Sequence, residues 1–478
     1  MKTSPVKPSA GVDGGSAAVD LTLELLRRND RPGPRYTSYP TAVEFTPEFT
    51  EQDYRERLSA ADLQADEPLS LYVHVPFCEQ RCLYCGCNVV VTRKREVAAR
   101  YLESLYREIE MLAECLPRRR KVSQHHWGGG TPTYLTPAQI EGLYGKIAEH
   151  FDIASDGEVA IEVDPRATTE EQMRLLHRLG FNRVSLGVQD FTPEVQAAVN
   201  RDQSEDQTRR MYDQCRALGF ASVNFDLIYG LPLQTPETFQ SNMDTVVAMR
   251  PDRVAVYSYA FVPWLKAHQK WIDVDALPDP ATKLRLFSIA RETLLSAGYR
   301  QIGMDHFALP EDEMVLAQTD RRLHRNFMGY TVKRGSDMIG LGSSAIGDVQ
   351  GSLAQNTKKL TEYRDALAAG RFPIERGVRL DQDDLIRREV ISRLMCNFHL
   401  EQREIEEQFG IDFESYFARE LRELGGPDGP VGSGFLKIEP GRLRVVGHGT
   451  LFVRNICMAF DRYLGKEGPG KRVFSRTV

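Results

Sequence analysis

The sequence predicts an α/β protein: a partial β/α barrel of six strand-helix units, preceded by an N-terminal extension and followed by a mostly helical C-terminal domain. Three observations carry this prediction. Short runs rich in Val, Ile and aromatics alternate with helical patterns from residue 69 to about 300. The unusual polar residues fall at the C-terminal ends of those runs, where barrel enzymes assemble their sites. Beyond about residue 380 the alternation stops and helical patterns follow one another.

Taken in chain order, residues 1–19 are rich in Gly, Ala, Ser and Pro and read as disordered, and "VDLTLELLRRND" reads as a helix before an extended "RPGPRYTSYPT". Residues 20–65 form this helix and arm. The six strand candidates are "LSLYVHVPF", "VSQHHWG", "EVAIEVD", "RVSLGVQ", "SVNFDLIYG" and "RVAVYSYA". Helical patterns such as "REVAARYLESLYREIEMLAECL", "TEEQMRLLHRLG" and "SEDQTRRMYDQCRALG" lie between them, two closed by the glycine expected after a helix. Six such units imply a parallel sheet, and their number favours a barrel over a short doubly wound sheet. The barrel domain is assigned to residues 66–375. Residues 376–478 then form a mostly helical domain with a β-hairpin in "FLKIEPGRLRVVG". Helices followed by a hairpin also suggest a winged-helix DNA reader, but this segment is rich in Glu and Asp where a phosphate-tracking face needs Lys and Arg.

Composition narrows the partners. With 61 basic against 67 acidic residues the net charge is −6, so no global basic field argues for nucleic acid. No stretch reaches the roughly 18 apolar residues of a membrane helix, and the first twenty residues lack the apolar core of a secretory signal. The expectation is a cytosolic protein with no nucleic-acid or membrane partner.

Half of the eight cysteines, Cys78, Cys82, Cys85 and Cys87, lie within ten positions of the loop after the first strand. In a reducing compartment such a cluster binds metal or reacts. Structural zinc would want a second pair of thiols downstream, which is missing. Three thiolates suit a [4Fe-4S] cluster and leave one iron open. Cys87, two residues beyond Cys85, reads either as a fourth ligand across a very short loop or as a thiol beside the cluster. Cys115, Cys215, Cys396 and Cys457 read as packing residues. Other candidates are the glycines of "WGGGTPT" after strand two, Glu162 with Asp164, Gln189 with Asp190, and Asp226. Of the paired His125 and His126, strand alternation sends one to each face.

The C-x3-C-x2-C loop followed by "WGGGTPT" resembles the radical S-adenosylmethionine (SAM) superfamily. Together with "RYTSYPT", "YVHVPFCEQRCLYCGCN", "IEVDP", "GVQDF", "NFDLIYGLP", "GMDHFA" and "GLGSSAIG", it resembles the oxygen-independent coproporphyrinogen III oxidases (dehydrogenases) of haem biosynthesis, from about residue 30 onwards. The resemblance implies a radical SAM barrel in which Cys78, Cys82 and Cys85 hold a [4Fe-4S] cluster and SAM chelates the open iron. It implies two SAM molecules per site. Tyr72, Gly129, Glu162 and Ile346 would contact the first; Tyr84, Gly130, Thr131, Gln189, Arg201, Asp226 and Ala260 would hold the second. Tyr84 departs from the Phe common in the family. Tyr36 and Ser38 would belong to an arm that covers the substrate, and Cys87 would act close to the chemistry. The implied reaction is oxidative decarboxylation of two propionates of coproporphyrinogen III to vinyl groups, by a monomer supplied with electrons by an external donor such as flavodoxin or ferredoxin. A haem-binding chaperone on the same scaffold, or a radical methyltransferase acting on haem, are the competing readings.

Overall fold

The computed structural model describes residue 29, residues 31–333, residues 337–464 and residue 474. The segment expected to be disordered, 1–19, and the helix expected in "VDLTLELLRRND" apart from Asn29 lie outside the described residues.

The six expected strands are present as β1 (Leu69–Val75), β2 (Lys121–Gly129), β3 (Asp152–Val163), β4 (Arg183–Gln189), β5 (Ser222–Tyr229) and β6 (Arg253–Ser258), each followed by helix. They pair side by side and in parallel, in sequence order. Every crossover is a helix because parallel neighbours need a long return path. Capping boxes start several of these helices: Thr136, Thr169, Ser204 and Thr235 each accept from the backbone N–H three residues on. Buried faces of the strands alternate between a lumen lined by polar side chains and an outer layer where Leu71, Trp127, Ile161, Leu186 and Phe225 pack against the helices.

The sheet is larger than six strands. Asp337–Leu341 adds in parallel to β1, and Ile346–Val349, Ser352–Asn356 and Ile374–Arg379 continue it antiparallel. On the other edge, His306–Ala308 and Arg300–Ile302 extend β6 antiparallel, which makes twelve strands in an open curve. The boundary expected at residue 375 therefore falls inside a strand, and the sheet-bearing body runs to Arg379. The C-terminal part begins at Asp381, whose side chain caps Gln382–Asn397. Its expected third helix is two, Phe413–Tyr416 and Ala418–Gly425, broken at Phe417. The hairpin Leu436–Glu439 with Arg442–Val445 pairs in addition with His399–Glu401.

Two apolar cores result. One fills the space between sheet and helices; the other lies in the C-terminal part and takes in Tyr36 and Tyr39 of the N-terminal arm. A helix that sequence reading passed over, Glu51–Asp62, inserts Tyr54, Leu58 and Ala61 into the first core. The bottom of the sheet is pinned by Arg119, which is fully buried. It donates to the Asp337 carboxylate and to the carbonyls of Ala61, Glu67 and Pro68.

Candidate active site

A cavity of about 550 Å³ opens at the C-terminal ends of the strands, within the range of small-molecule sites. Thirteen of the predicted residues line it: the four clustered cysteines, Tyr84, Gly129, Gly130, Thr131, Glu162, Asp164, Gln189, Arg201 and Asp226.

The loop carrying the cysteines leaves β1 and returns through the short pair Phe77–Cys78 and Val90–Val91. It is tied to the glycine loop by Gly130 N–H to Val75 O at 2.9 Å and Thr131 N–H to Phe77 O at 2.8 Å. The glycines are required by space. A Cβ on Gly130 would lie 2.7 Å from the Pro76 and Phe77 backbone, and one on Gly128 would lie 2.7 Å from the Glu162 carboxylate. Gly129, at φ +114, also has the His74 ring within 2.6 Å of its absent Cβ.

Glu162 accepts from Gly129 N–H at 3.1 Å and faces His126 Nε2 at 3.4 Å. Burial opposes its ionisation, but His126 and the Gly129 N–H outweigh this and hold it below the ordinary carboxylate range. His125 and His126 do point to opposite faces. His126 stacks on Tyr72 in the lumen, while His125 is fully buried outside and accepts from Trp127 Nε1 at 2.7 Å. Tyr72 reaches the site through neighbours: its hydroxyl bonds His74 Nδ1 at 3.0 Å, and His74 Nε2 bonds Asn88 O at 3.0 Å. Burial lowers the His74 pKa, so the neutral ring accepts from Tyr72 and donates to Asn88, directly after Cys87.

Opposite, Arg201 donates to Gly187 O at 2.5 Å, to Gln203 Oε1 at 2.9 Å and to Asp164 at 3.3 Å, and lies 3.6 Å from Cys82 Sγ. Arg166 brackets the same Asp164 at 2.7 Å and the same sulfur at 3.6 Å. Burial works against the Asp164 charge, but the two guanidiniums prevail and hold its pKa at about 2. Gln189 sits at φ +68 beside a register shift between β4 and β5, a bulge that re-aims its side chain into the cavity. Its Oε1 and Arg201 Nε are buried without a partner. Asp226 accepts from Ser185 at 2.7 Å and Asn224 at 2.8 Å, and burial raises its pKa to about 6.

Cys87 is exposed to the cavity, and its thiol beside Cys85 draws the Cys85 pKa below the ordinary thiol range. Thr131 Oγ1 lies 3.6 Å from Cys78 Sγ. Ala260 lies just outside the lining; its carbonyl accepts from Gln269 Nε2, which also donates to Tyr84 O at 3.1 Å. Ile346 is not brought to the cavity wall; it packs its backbone against Gly340. Tyr36 and Ser38 are not brought there either. Tyr36 is buried in the C-terminal core with its hydroxyl on Asp461 at 2.9 Å, and Ser38 Oγ donates to Pro40 O. Both line a separate cavity of about 140 Å³ with Arg325 and Lys333.

Sequence reading missed Tyr257, Ser185 and Arg166 in the lining, and the chain behind Tyr257. Its hydroxyl lies 3.5 Å from His306 Nε2, and His306 Nδ1 lies 2.7 Å from Asp305 Oδ1. "GMDHFA" supplies both partners; the adjacent Asp-His pair was the available signal.

A model of the radical SAM superfamily matches residues 72–246, and one of the HemN C-terminal domain matches residues 380–452. The oxygen-independent coproporphyrinogen III oxidase of Pseudomonas aeruginosa is 45% identical over 457 residues, 95% of this chain and 98% of its own. That of Escherichia coli is 44% identical over 461 residues, 96% and 99% respectively. The solved structure of coproporphyrinogen III oxidase (HemN) from Escherichia coli, described as a radical SAM enzyme, superposes with a TM-score of 0.88 at 43% identity, covering 94% of this chain and all of that one. On these likenesses, and with the cysteine loop, glycine loop and carboxylates gathered on one rim, the chain belongs to the oxygen-independent coproporphyrinogen III oxidase family of the radical SAM superfamily.

Proposed function

We infer that the chain catalyses the oxygen-independent oxidative decarboxylation of two propionates of coproporphyrinogen III, giving protoporphyrinogen IX in haem biosynthesis, with a [4Fe-4S] cluster and SAM as cofactors. The observation that carries this is the cavity itself: thiols from one loop face a glycine edge with no room for a Cβ and two buried polar atoms left without partners.

The residues fit the cofactors. Cys78, Cys82 and Cys85 are unpaired thiols on one short loop. Three thiols from one loop suit a cluster in which each binds a different iron. Arg166 and Arg201 each set a guanidinium 3.6 Å from the Cys82 sulfur. When bound, the cluster and SAM supply the one-electron chemistry that removes a hydrogen atom from the propionate.

The side chains do the holding. Tyr72, Gly129 and Glu162 would position the cluster-bound SAM, with ionised Glu162 facing its ammonium or ribose hydroxyls. Room for a second SAM is read from the opposite wall. There Arg201 offers its open Nε–H to a carboxylate, Gln189 its open Oε1 to a donor, and Tyr84, Gly130, Thr131, Asp226 and Ala260 complete the surroundings. Ile346 would serve only indirectly, through the backbone of Gly340. Tyr36 and Ser38 are read as shaping the cavity beneath the arm, which Arg325 and Lys333 make receptive to a propionate. Because loss of carbon dioxide needs no proton acceptor, the site works by orientation and by keeping water and oxygen out. The protein would act as a monomer in the cytosol, reduced by an external donor.

The test is anaerobic reconstitution of the wild type and of Cys78→Ser, Cys82→Ser, Cys85→Ser and Cys87→Ser. The expected result is four irons and 5′-deoxyadenosine formation in wild type and in Cys87→Ser, and loss of both in the other three. Full iron in any of those three would overturn the ligand assignment.

A further inference from the structure

The segment that follows β6 exposes an apolar surface that nothing in the catalytic reading uses. Trp264, Leu265, Trp271 and Val274 are 46%, 64%, 81% and 57% exposed, and Leu233, 48% exposed, joins them through its N–H to Ala276 O at 2.8 Å. These are five of the eleven large hydrophobic side chains that stand exposed among the described residues, and they include two of the chain's three tryptophans. Scattered exposed hydrophobics are ordinary, but a concentration of this kind marks a contact surface.

Two features say what would sit there. First, the same segment carries the cysteine loop. His268 Nε2 bonds Cys85 O at 2.8 Å, Lys266 Nζ donates to Cys87 O at 3.1 Å, and Gln269 Nε2 donates to Tyr84 O at 3.1 Å. A partner seated on the tryptophans is therefore seated against the backbone that bears the thiols. Second, the rim is cationic. Arg81, 3.5 Å from His268, with Lys266, Lys270 and Lys358 form no ion pair among the described residues, against Asp273 and Asp275 beyond Trp271 and Glu375 near Lys358, in a chain whose net charge is −6. Small interfaces with an apolar centre and a charged rim suit transient redox encounters, and charge complementarity speeds them.

We propose that the Trp264–Val274 surface, with its rim of Arg81, Lys266, Lys270 and Lys358, is the docking site of a small acidic one-electron carrier protein that reduces the cluster. This rests on the radical SAM reading above. Each docking event passes one electron from the reduced carrier to the oxidised cluster, and the carrier leaves oxidised by one electron.

The test compares the reconstituted wild-type holoenzyme with Trp271→Ser and Lys270→Glu, neither of which touches the cavity. 5′-Deoxyadenosine formation is measured once with dithionite and once with reduced flavodoxin as the acidic carrier, and flavodoxin binding is measured directly by titration. With dithionite both variants should match wild type within about twofold. With flavodoxin, kcat/KM for the carrier should fall about tenfold or more, with a parallel weakening of binding. The wild-type rate with flavodoxin should also fall as salt rises, while the dithionite rate does not. Equal losses with both reductants would overturn the proposal, because the segment would then merely support the cluster. Unchanged carrier kinetics and binding would overturn it too. So would a dimer that Trp271→Ser dissociates, or an effect of Trp271→Ser that vanishes once residues 1–28 are deleted, since a second copy or the chain's own N-terminal segment would then be the occupant. No product with dithionite in the wild type would instead refute the catalytic reading, and carrier binding would still decide this one.

Discussion

Replacing Gly130 with Ala tests whether the glycine edge is a positioning device. The new Cβ would meet Phe77 O and Pro76 C at 2.7 Å and Pro76 O at 2.8 Å, all backbone atoms at the root of the cysteine loop. Ordinary contacts of this kind begin near 3.4 Å. One strand end must therefore retreat from the other by about 0.7 Å, against the hydrogen bonds from Gly130 to Val75 and from Thr131 to Phe77. Overpacking of this sort costs about 1–3 kcal/mol of stability. The catalytic cost is of similar size, because a displacement near 1 Å between reacting groups lowers rates about 100-fold, or about 2.7 kcal/mol. Gly86→Ala is the control: nothing lies within 4 Å of its Cβ, and the substitution should leave iron content and rate within about twofold. The assay is anaerobic turnover with iron counting and SAM binding by titration. Gly130→Ala with full iron and wild-type turnover would refute the reasoning, whereas loss of iron would move the defect from SAM positioning to the cluster.

Further outcomes follow from buried groups. Arg119→Met leaves Asp337 buried without its counter-charge and should cost about 3–5 kcal/mol in urea unfolding; a loss below about 1 kcal/mol would contradict the pairing. The Asp226 carboxyl, raised by burial to about 6 from an ordinary value near 3.9, favours the protonated folded protein. Its contribution is complete below about pH 4 and is lost as pH rises through 6. Asp226→Asn should therefore be more stable than wild type by about 2 kcal/mol at pH 8, with the advantage shrinking at pH 5, and a pH-independent difference would count against it. Tyr257→Phe removes the cavity end of the Tyr257, His306, Asp305 chain; 5′-deoxyadenosine per vinyl group formed should rise about tenfold at full iron content, and an unchanged ratio would exclude a role in aligning the substrate.

Much of the architecture was legible because parallel β/α units write themselves as alternating apolar runs, and because the reactive residues cluster at one end of those runs. The helix Glu51–Asp62 was missed although Thr50 and Asp53 form a capping box at its start, since its apolar stripe is only Tyr54, Leu58 and Ala61. The antiparallel strands beyond Asp337–Leu341 were illegible for another reason: "DMIGL" is buried along its whole length, with no polar and apolar alternation, and a fully buried strand does not reveal its neighbour. At the site, the cysteine and glycine loops announced themselves by spacing. Arg166 and His268 did not, because their roles arise from chain segments 84 and 183 residues away from the cysteines they touch. The packing of the arm was the part least legible. "RYTSYPT" has the composition of an exposed extended segment, yet Tyr36 and Tyr39 complete the C-terminal core, whose apolar surface would otherwise lack a cover.

The central claim is that this site converts propionates to vinyl groups. Its most direct measurement uses coproporphyrinogen III labelled at the propionate carboxyl carbons, incubated anaerobically with reconstituted protein, SAM and reductant. The account predicts two labelled carbon dioxide molecules and two 5′-deoxyadenosines for each protoporphyrinogen formed; stoichiometric haem binding with no labelled carbon dioxide released would contradict it.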